Sequence, residues 1–335
     1  MGSPSSSGRV RYAWISDDDD PTLHACLEEA CLRDSEEDYL LVYINRPSLH
    51  VGKNQNLWAQ VSAKEVFESN VSLHRRITGG GTVYHDFGNL NYALISTGEP
   101  RVDFCRHLHF LFPYFEARKL SVEIRNRSDL FKGEGKFSGN AEYFSGRRIL
   151  HHGTLLFKSD LNRLHSLLTP SSSAYRDRSI DSNRNRTINL STFLPKLSDT
   201  RSFAEDFVAT LQDFHPCLTL LDKPPIALKT ANEKYGERFK SNGWIYGRSP
   251  KYELRKTVKS SFGEVSSLLV VREGKIMSAR FKCDDKQWDE SFQRLAIDLG
   301  DKLHAPSEIS KCLPKNENAD RFSSLLSDHW LDLLF

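Results

Sequence analysis

The residues of this 335-residue chain best suited to chemistry lie in two short stretches, Arg75 to Asn91 (RRITGGGTVYHDFGNLN) and Lys132 to Phe157 (KGEGKFSGNAEYFSGRRILHHGTLLF). In the first, Gly79, Gly80 and Gly81 follow Arg75 and Arg76. Three consecutive glycines are costly in ordered structure, because each loses more backbone entropy than any other residue. An isolated run of this kind is ordinarily a floppy turn. Here Thr82, Val83 and Tyr84 continue as a strand, and successive free N–H groups beside guanidinium groups make a nest for a phosphate or a carboxylate.

In the second stretch, Lys136 lies among Gly133, Gly135 and Gly139, where bare backbone lets a ligand approach and a compact ammonium can neutralise a phosphate. The stretch is not a P-loop. That pattern needs Gly at 130 and Ser or Thr at 137, where Leu130 and Phe137 stand. His151 and His152 are adjacent on a strand and so point to opposite faces; both cannot line one site. A hydrogen-bonded core histidine suits either better than a catalytic base, and no third residue at suitable spacing supports a metal site. Asp86 and Asn89 suit a backbone turn. No Ser/His/Asp arrangement is legible, and no cysteine falls between Cys105 and Cys217 to serve as a thiol nucleophile.

These residues need a scaffold. VRYAWI at 10–15 reads as a strand, and Asp17 to Asp20 as a solvated loop tip that caps a helix over about 22–33. On that helix Cys26 and Cys31 suit the apolar face. YLLVYI at 39–44 reads as a buried strand and 49–51 as a shorter one, followed by a polar turn at 52–56 and a helix over 63–70. Residues 103–120 show helical spacing that Pro113 kinks or ends. A short strand follows at 122–124. Residues 171–189 carry Arg176, Arg178, Arg184 and Arg186 with few apolar groups, which predicts a long mobile loop. Residues 202–214 read as a helix, the stretch around 242–250 as turns, and the end of the chain as strands at 267–271 and 275–281 with two late helices.

At roughly 150 residues per domain, the length suggests about two domains. The expected layout is a disordered start or tag at 1–10, a catalytic domain at 11–250 and a small accessory domain at 255–335. With 46 Lys+Arg against 44 Asp+Glu the net charge is +2, which argues against a nucleic-acid partner. No apolar run approaches the ~18 residues that span a bilayer, so no membrane role is expected. Six scattered cysteines suit free thiols in a reducing compartment. The expected location is the cytoplasm if the source is bacterial, and the mitochondrial matrix or another organelle if it is eukaryotic. The start MGSPSSSGR has no apolar core of a secretory signal.

The two motifs together resemble the lipoate–protein ligase family. Its first signature, RR-x-S-G-G-G-A-V-x-H-D-x-G-N, is matched by Arg75 to Asn89. The second, K-[IV]-S-G-x-A followed by HHGTLL, is matched by Lys136 to Ala141 and His151 to Leu156. Weaker matches are Asn189-Leu190 and the segment from Trp244 to Pro250, and the likeness covers most of 12–255. Departures are Thr78 for Ser, Phe137 for an aliphatic residue, and Ser128 where the family commonly has Asn before Asp129.

The resemblance implies an α/β fold with a mixed sheet, like biotin ligases and class II aminoacyl-tRNA synthetase cores, plus a small α+β C-terminal domain. It implies a two-step reaction. Lipoate or octanoate and Mg·ATP give an acyl-AMP, which a lysine of a lipoyl domain then attacks. The acceptors implied are the acyltransferase subunits of 2-oxoacid dehydrogenases and the glycine cleavage H protein. ATP and Mg²⁺ are co-substrates, with no tightly bound prosthetic group, and the enzyme is expected to be a monomer.

Carried over by motif, the adenylate contacts are Arg76, Gly79, Gly80, Gly81, Thr82, Val83, Tyr84, Asp129 and Lys136. The lipoate contacts are Arg76, Gly81, His85, Lys136, Gly139, Ala141 and His152, with Lys136 as catalytic residue and residues 171–189 as an adenylate-covering loop. An acyl tunnel lined by Val42, Ile44, Val83, Ala141 and Leu155 would bury about seven CH₂-sized units, worth roughly 5 kcal/mol. The alternative within the family is a lipoyltransferase that uses preformed lipoyl-AMP without ATP activation. A thiol-dependent transferase lacks its cysteine here, a biotin ligase its Gly-Arg-Gly-Arg-type loop, and a non-enzymatic fold-mate is disfavoured by the intact Arg76, glycine run and Lys136.

Overall fold

The structure is a computed structural model that describes residues 10–98, 103–168, 174–178, 185–260, 263–314 and 321–335. Strand β1 (Tyr12–Ile15) leads into helix α1 (Pro21–Arg33), which begins where the Asp20 side chain accepts from the Thr22 amide at 2.8 Å and Pro21 takes the first turn. The aspartate run is more than a solvated tip: Arg201 pairs with Asp17 at 2.8 Å, and Arg46 with Asp19 at 3.3 Å and Asp20 at 2.9 Å. β2 (Tyr39–Ile44) has alternate faces buried in two layers, which is why it reads as a continuous apolar run. β3 (Ser48–Val51), α2 (Ala63–Ser69), β4 (Ser72–Arg75) and β5 (Val83–His85) follow.

Next come β6 (Asn89–Thr97) and α3 (Phe104–Ala117), which runs four residues past Pro113 rather than ending there. The short strands β7 (Glu123–Arg125), β8 (Asp129–Lys132) and β9 (Gly135–Ser138) lead to β10 (Asn140–Ser145), β11 (Arg148–Leu156) and α4 (Leu161–Leu167). Then come β12 (Tyr175–Arg176), α5 (Thr200–Phe214), β13 (Thr219–Leu220), α6 (Leu228–Lys240) and the single turn α7 (Asn242–Ile245). The stretch expected as turns therefore holds α7, and α6 has no counterpart among the expected elements. The last part contains β14 (Tyr252–Ser260), β15 (Gly263–Arg272), β16 (Lys275–Cys283), α8 (Asp289–Asp298), α9 (Pro306–Ile309) and α10 (Arg321–Leu334).

The central sheet has the order β10-β11-β6-β2-β1-β13, parallel between β2, β1 and β13 and antiparallel elsewhere. This is the mixed α/β architecture expected. Helices α3 and α5 cover one face, where Tyr114, Phe203 and Phe207 pack against Val42, Leu94 and Leu155. Helices α1 and α6 cover the other, where Leu27, Cys31 and Phe239 pack against Leu41 and Ile95, and Arg238 of α6 clasps the buried Glu29 of α1. Cys26 and Cys31 lie in that layer, both fully buried, and burial pushes the Cys26 thiol up to about 12 and Cys31 higher still.

A second sheet, β4-β3-β5, carries the glycine run between two of its strands, and a third, β7-β8-β9, carries Lys136. The last sheet, β12-β14-β15-β16, shares an apolar cluster with Leu49, Val51 and Trp58. Its edge strand β12 pairs Tyr175 with Leu254, and the Tyr175 hydroxyl donates to the Phe335 carbonyl at 2.5 Å. Farther along, Lys136 N–H donates to Arg186 O at 2.8 Å and Ile188 N–H to Lys136 O at 3.0 Å. The described pieces of the expected mobile loop are thus held by backbone pairing. Residues 171–173 and 179–184 of it, like 1–9, lie outside the described residues.

Behind the central sheet, the Glu142 carboxylate receives His107 Nδ1 at 2.9 Å and His151 Nδ1 at 2.8 Å, a three-donor group that sequence spacing did not reveal. Burial works against its ionisation, but the hydrogen bonds from His107 and His151 outweigh it and bring Glu142 down to about 2. Burial lowers His151 from an ordinary 6.5 to about 4. Below pH 6.5 the unfolded chain therefore takes up a proton that folded His151 refuses until about pH 4, and Glu142 behaves likewise between 4.5 and about 2. Both contributions are present at neutral pH and are lost as pH falls, His151 accounting for on the order of 3 kcal/mol. Melting temperatures measured from pH 7 to pH 4.5 should fall, and should fall less in His151→Asn. An equal fall in both proteins would remove His151 from this explanation.

Candidate functional site

The site starts where β4 ends. Arg75 is 1% exposed, and its guanidinium donates to Ile245 O and Gln55 O at 2.8 Å, Gly52 O at 2.9 Å and Ser249 Oγ at 3.0 Å. No carboxylate pairs with it among the described residues, and burial with the nearby charge of Arg76 lowers it to about 10. One of the two guanidinium groups expected beside the anion nest thus bolts the 52–55 turn to the segment before β14.

Arg76 turns the other way. Its Nη1 donates to His50 O at 2.7 Å, its Nη2 to Gly79 O at 2.7 Å and to Gly81 O, and its Nε to Thr78 Oγ1 at 3.0 Å. Burial lowers it to about 10, so it stays charged at pH 7. The glycine run wraps this guanidinium. Gly80 has φ +83, and a Cβ there would lie 3.1 Å from Arg76 Nη2.

Thr78 keeps the hydroxyl of the Ser it replaces and uses it twice. Besides meeting Arg76, it lies 2.8 Å from His152 Nε2. His152 Nδ1 in turn sits 3.0 Å from both oxygens of Glu28, which also accepts from the Tyr43 hydroxyl at 2.6 Å. His151 and His152 do face opposite sides of β11. The sequence pointed to His152 but not to Glu28 or Tyr43. The available signal was an acid on the inward stripe of α1, beside Leu27 and Cys31.

His85 is organised by Asn45. The Asn45 amide nitrogen lies 2.9 Å from His85 Nδ1, and its oxygen 2.6 Å from His24 Nδ1, whose ring reaches Ser16 Oγ at 2.8 Å. With the amide so placed, His85 accepts at Nδ1 and His24 donates at Nδ1, so one side chain sets two neutral tautomers.

Lys136, on β9, pairs with Asp129 at 2.7 Å, and the other Asp129 oxygen accepts from Asn126 Nδ2 at 3.3 Å. Two cavities meet at Lys136. The larger, about 550 Å³, is lined by Arg76, Gly79, Gly80, Gly81, His85, Asp129, Ala141 and His152 among others. The smaller, about 390 Å³, is lined by Gln60, Tyr84, Leu156, Leu164 and His165. Thr82, Val83, Gly139 and Thr154 belong to both walls. Of the expected tunnel residues, Val83 and Ala141 line the larger cavity. Val42, Ile44 and Leu155 do not; they pack against the α3–α5 layer, because Tyr43 and Thr154 are the residues of β2 and β11 whose pleat faces the site. All the carried-over positions therefore converge on one paired chamber, with Arg178 at its rim and Tyr84 on the smaller side only.

Comparison with known proteins agrees with this geometry. Residues 20–212 match the Lipoyl protein ligase A/B catalytic domain family. Lipoate–protein ligase LplJ of Bacillus subtilis is 34% identical over 326 residues, covering 94% of this chain and 97% of that protein. Among solved structures, LipL1 of P. falciparum in complex with lipoate superposes with a TM-score of 0.60 at 23% identity, covering 94% of this chain and 98% of the other. A lipoate–protein ligase A bound with ATP superposes with a TM-score of 0.58 at 19% identity over 71% of this chain and 98% of the other. The last two likenesses establish the shared fold.

The Arg75 bolt yields a stability test. Arg75→Ala leaves Ile245 O and Gln55 O without a donor, while Gly52 O and Ser249 Oγ keep only a backbone N–H from Gln55 and Leu57, and should cost about 3 kcal/mol in urea denaturation. Arg75→Lys should recover less than half, since one ammonium cannot reach acceptors arranged around a planar fork. Full recovery by lysine would mean that charge, not shape, holds the turn.

Proposed function

The chain belongs to the lipoate–protein ligase family, and from that premise we propose that it activates lipoate with ATP and transfers the acyl group to a lysine of a lipoyl domain. The observation that carries the reading is the junction at Lys136. One chamber carries Arg76 and the glycine run, the other lies beyond the shared Val83 and Gly139 wall, and the Lys136 ammonium belongs to both. A mixed anhydride has that layout, with acyl chain on one side, nucleotide on the other and phosphate between.

In the first step a carboxylate oxygen bonds to the α-phosphorus and the bond to pyrophosphate breaks. Two anions must approach, and Lys136 with Arg76 offsets their repulsion. Arg76 is suited to this because the groups it donates to, the carbonyls of His50, Gly79 and Gly81 and the Thr78 hydroxyl, carry no charge to neutralise its own. Asp129 holds the Lys136 ammonium in place beforehand. Mg²⁺ accompanies ATP as co-substrate.

In the second step the acceptor amine attacks the acyl carbon, the acyl–phosphate bond breaks and AMP leaves with the electron pair. A lysine with an ordinary pKa of ~10.4 is neutral in only about one molecule in 2,500 at pH 7. The charge of Lys136 disfavours a second ammonium beside it and drives the incoming amine towards its nucleophilic form. The acceptors proposed are lipoyl domains of 2-oxoacid dehydrogenase acyltransferases and the glycine cleavage H protein. Residues 11–250 form the catalytic unit in this reading, and 255–335 an accessory domain.

Mass spectrometry of a lipoyl domain after incubation with enzyme, lipoate and ATP should show one lipoyl group added. Lys136→Ala should lower pyrophosphate release by about 100-fold or more and slow single-turnover transfer from supplied lipoyl-AMP, with the fold unchanged by circular dichroism. Near-normal pyrophosphate release from Lys136→Ala would overturn its assignment. Modification by the unaltered enzyme from lipoyl-AMP but not from lipoate and ATP would replace the ligase with a transferase.

A further inference from the structure

The larger cavity has one wall of histidines to which the two steps above assign no chemistry. His24, His50, His74 and His85 all line it. Two of them come from a repeat in register: β3 and β4 run parallel with Ser48 opposite Ser72 and His50 opposite His74. In each strand the histidine Nε2 lies 3.1 Å from the hydroxyl of the serine two residues earlier. The other neighbour of β3 is β5, which brings His85. The rings form a stack, His50 to His85 at 4.0 Å and His50 to His74 at 5.2 Å between centroids, while His24 stacks on Tyr43 at 4.3 Å beside it.

This wall cannot hold an anion by charge. Burial pushes His50 and His85 well below the ordinary histidine range and His74 down to about 4, so the rings are neutral at pH 7. It is not a metal site either, since among the described residues the His107–Glu142–His151 group is the one set of three donors close enough together. Nor is it a plain hydrocarbon surface. The Nδ1 atoms of His50 and His74 have no hydrogen-bond partner among the described residues. A purely alkyl tail laid on them would strip water from these nitrogens and return nothing. A sulfur atom is polarisable and packs well against aromatic rings, and a thiol can also donate to a free imidazole nitrogen.

We propose that the histidine stack centred on His50 is the specificity determinant for the far end of the acyl chain, favouring a sulfur-bearing ring or dithiol over an all-alkyl acid of the same length. The inference rests on the ligase reading and deepens it, committing this site to lipoate rather than octanoate. His50 is the central element because it stacks on both His74 and His85, and its main-chain carbonyl also holds Arg76 Nη1 at 2.7 Å.

The test compares kcat/KM for lipoate and for octanoate in the unaltered enzyme, His50→Val and His50→Phe, with melting temperature as a check on folding. The unaltered enzyme should prefer lipoate. His50→Val should lower the lipoate-to-octanoate ratio about fivefold, the scale of a sulfur–aromatic contact, while His50→Phe, which keeps the ring face but not the free nitrogen, should fall between Val and the unaltered enzyme. A ratio unchanged in His50→Val, or lost equally in His50→Phe, overturns the proposal. If His50→Val does not fold, His74→Val makes the same comparison from the half-buried side of the stack. An unaltered enzyme that activates neither acid would instead sink the ligase reading, so the two failures are distinguishable.

Discussion

Everything in the site depends on a guanidinium whose three nitrogens all donate to uncharged acceptors. Arg76 reaches the carbonyls of His50, Gly79 and Gly81 and the hydroxyl of Thr78. Each bond removes part of the penalty of burying the charge, and none cancels the charge itself. The same side chain therefore does two things. It folds three glycines, which have no side chains to pack, into a defined wall, and it places a positive charge beside the chamber that wall lines. A carboxylate partner would have given a more stable arginine and a weaker anion site.

The second organising constraint is the period of two along a strand. On β11 it sends His151 into a buried cluster with Glu142 and His107, and His152 into the chamber with Glu28. On β2 it gives Val42 to the α3–α5 core and Tyr43 to the site. The chamber and the core are opposite faces of the same strands, so a register slip of one residue would exchange them. The buried ladder of β2, β6 and β11 makes that slip costly, which fixes the site by fixing the core.

The sequence was legible where the chemistry needed unusual residues close together. Three glycines after two arginines, a lysine among glycines and paired histidines announce themselves, and the structure gathers them. It was silent where the site is assembled from ordinary residues far apart. Glu28, Tyr43, Asn45 and His50 become neighbours only when α1, β2 and β3 meet the glycine run. Arg75 and Arg76 looked alike because adjacency hides direction; one is a structural bolt and the other faces the chamber. Among the elements, α6 escaped because charged and polar side chains cover most of its surface and its apolar stripe, with Ala231 and Phe239, is thin. The expected tunnel fails at Val42, Ile44 and Leu155 because apolar character alone does not say which face of a two-sided sheet a residue joins.

The two thiols of α1 acquire a different meaning once a dithiolane is the substrate. Lipoate carries a strained cyclic disulfide, and a thiolate beside it would open the ring by thiol–disulfide exchange and trap the substrate on the enzyme. Ala25 and Glu28 of α1 line the chamber, and Cys26 and Cys31 lie on the same helix. Burial keeps the Cys26 thiol at about 12, where on the order of one molecule in 10⁵ is ionised at pH 7, and keeps Cys31 further from ionisation. In the ligase reading proposed above, burial in the α1–α6 layer therefore has a chemical consequence as well as a packing one: it holds these sulfurs protonated and away from a dithiolane bound in the chamber.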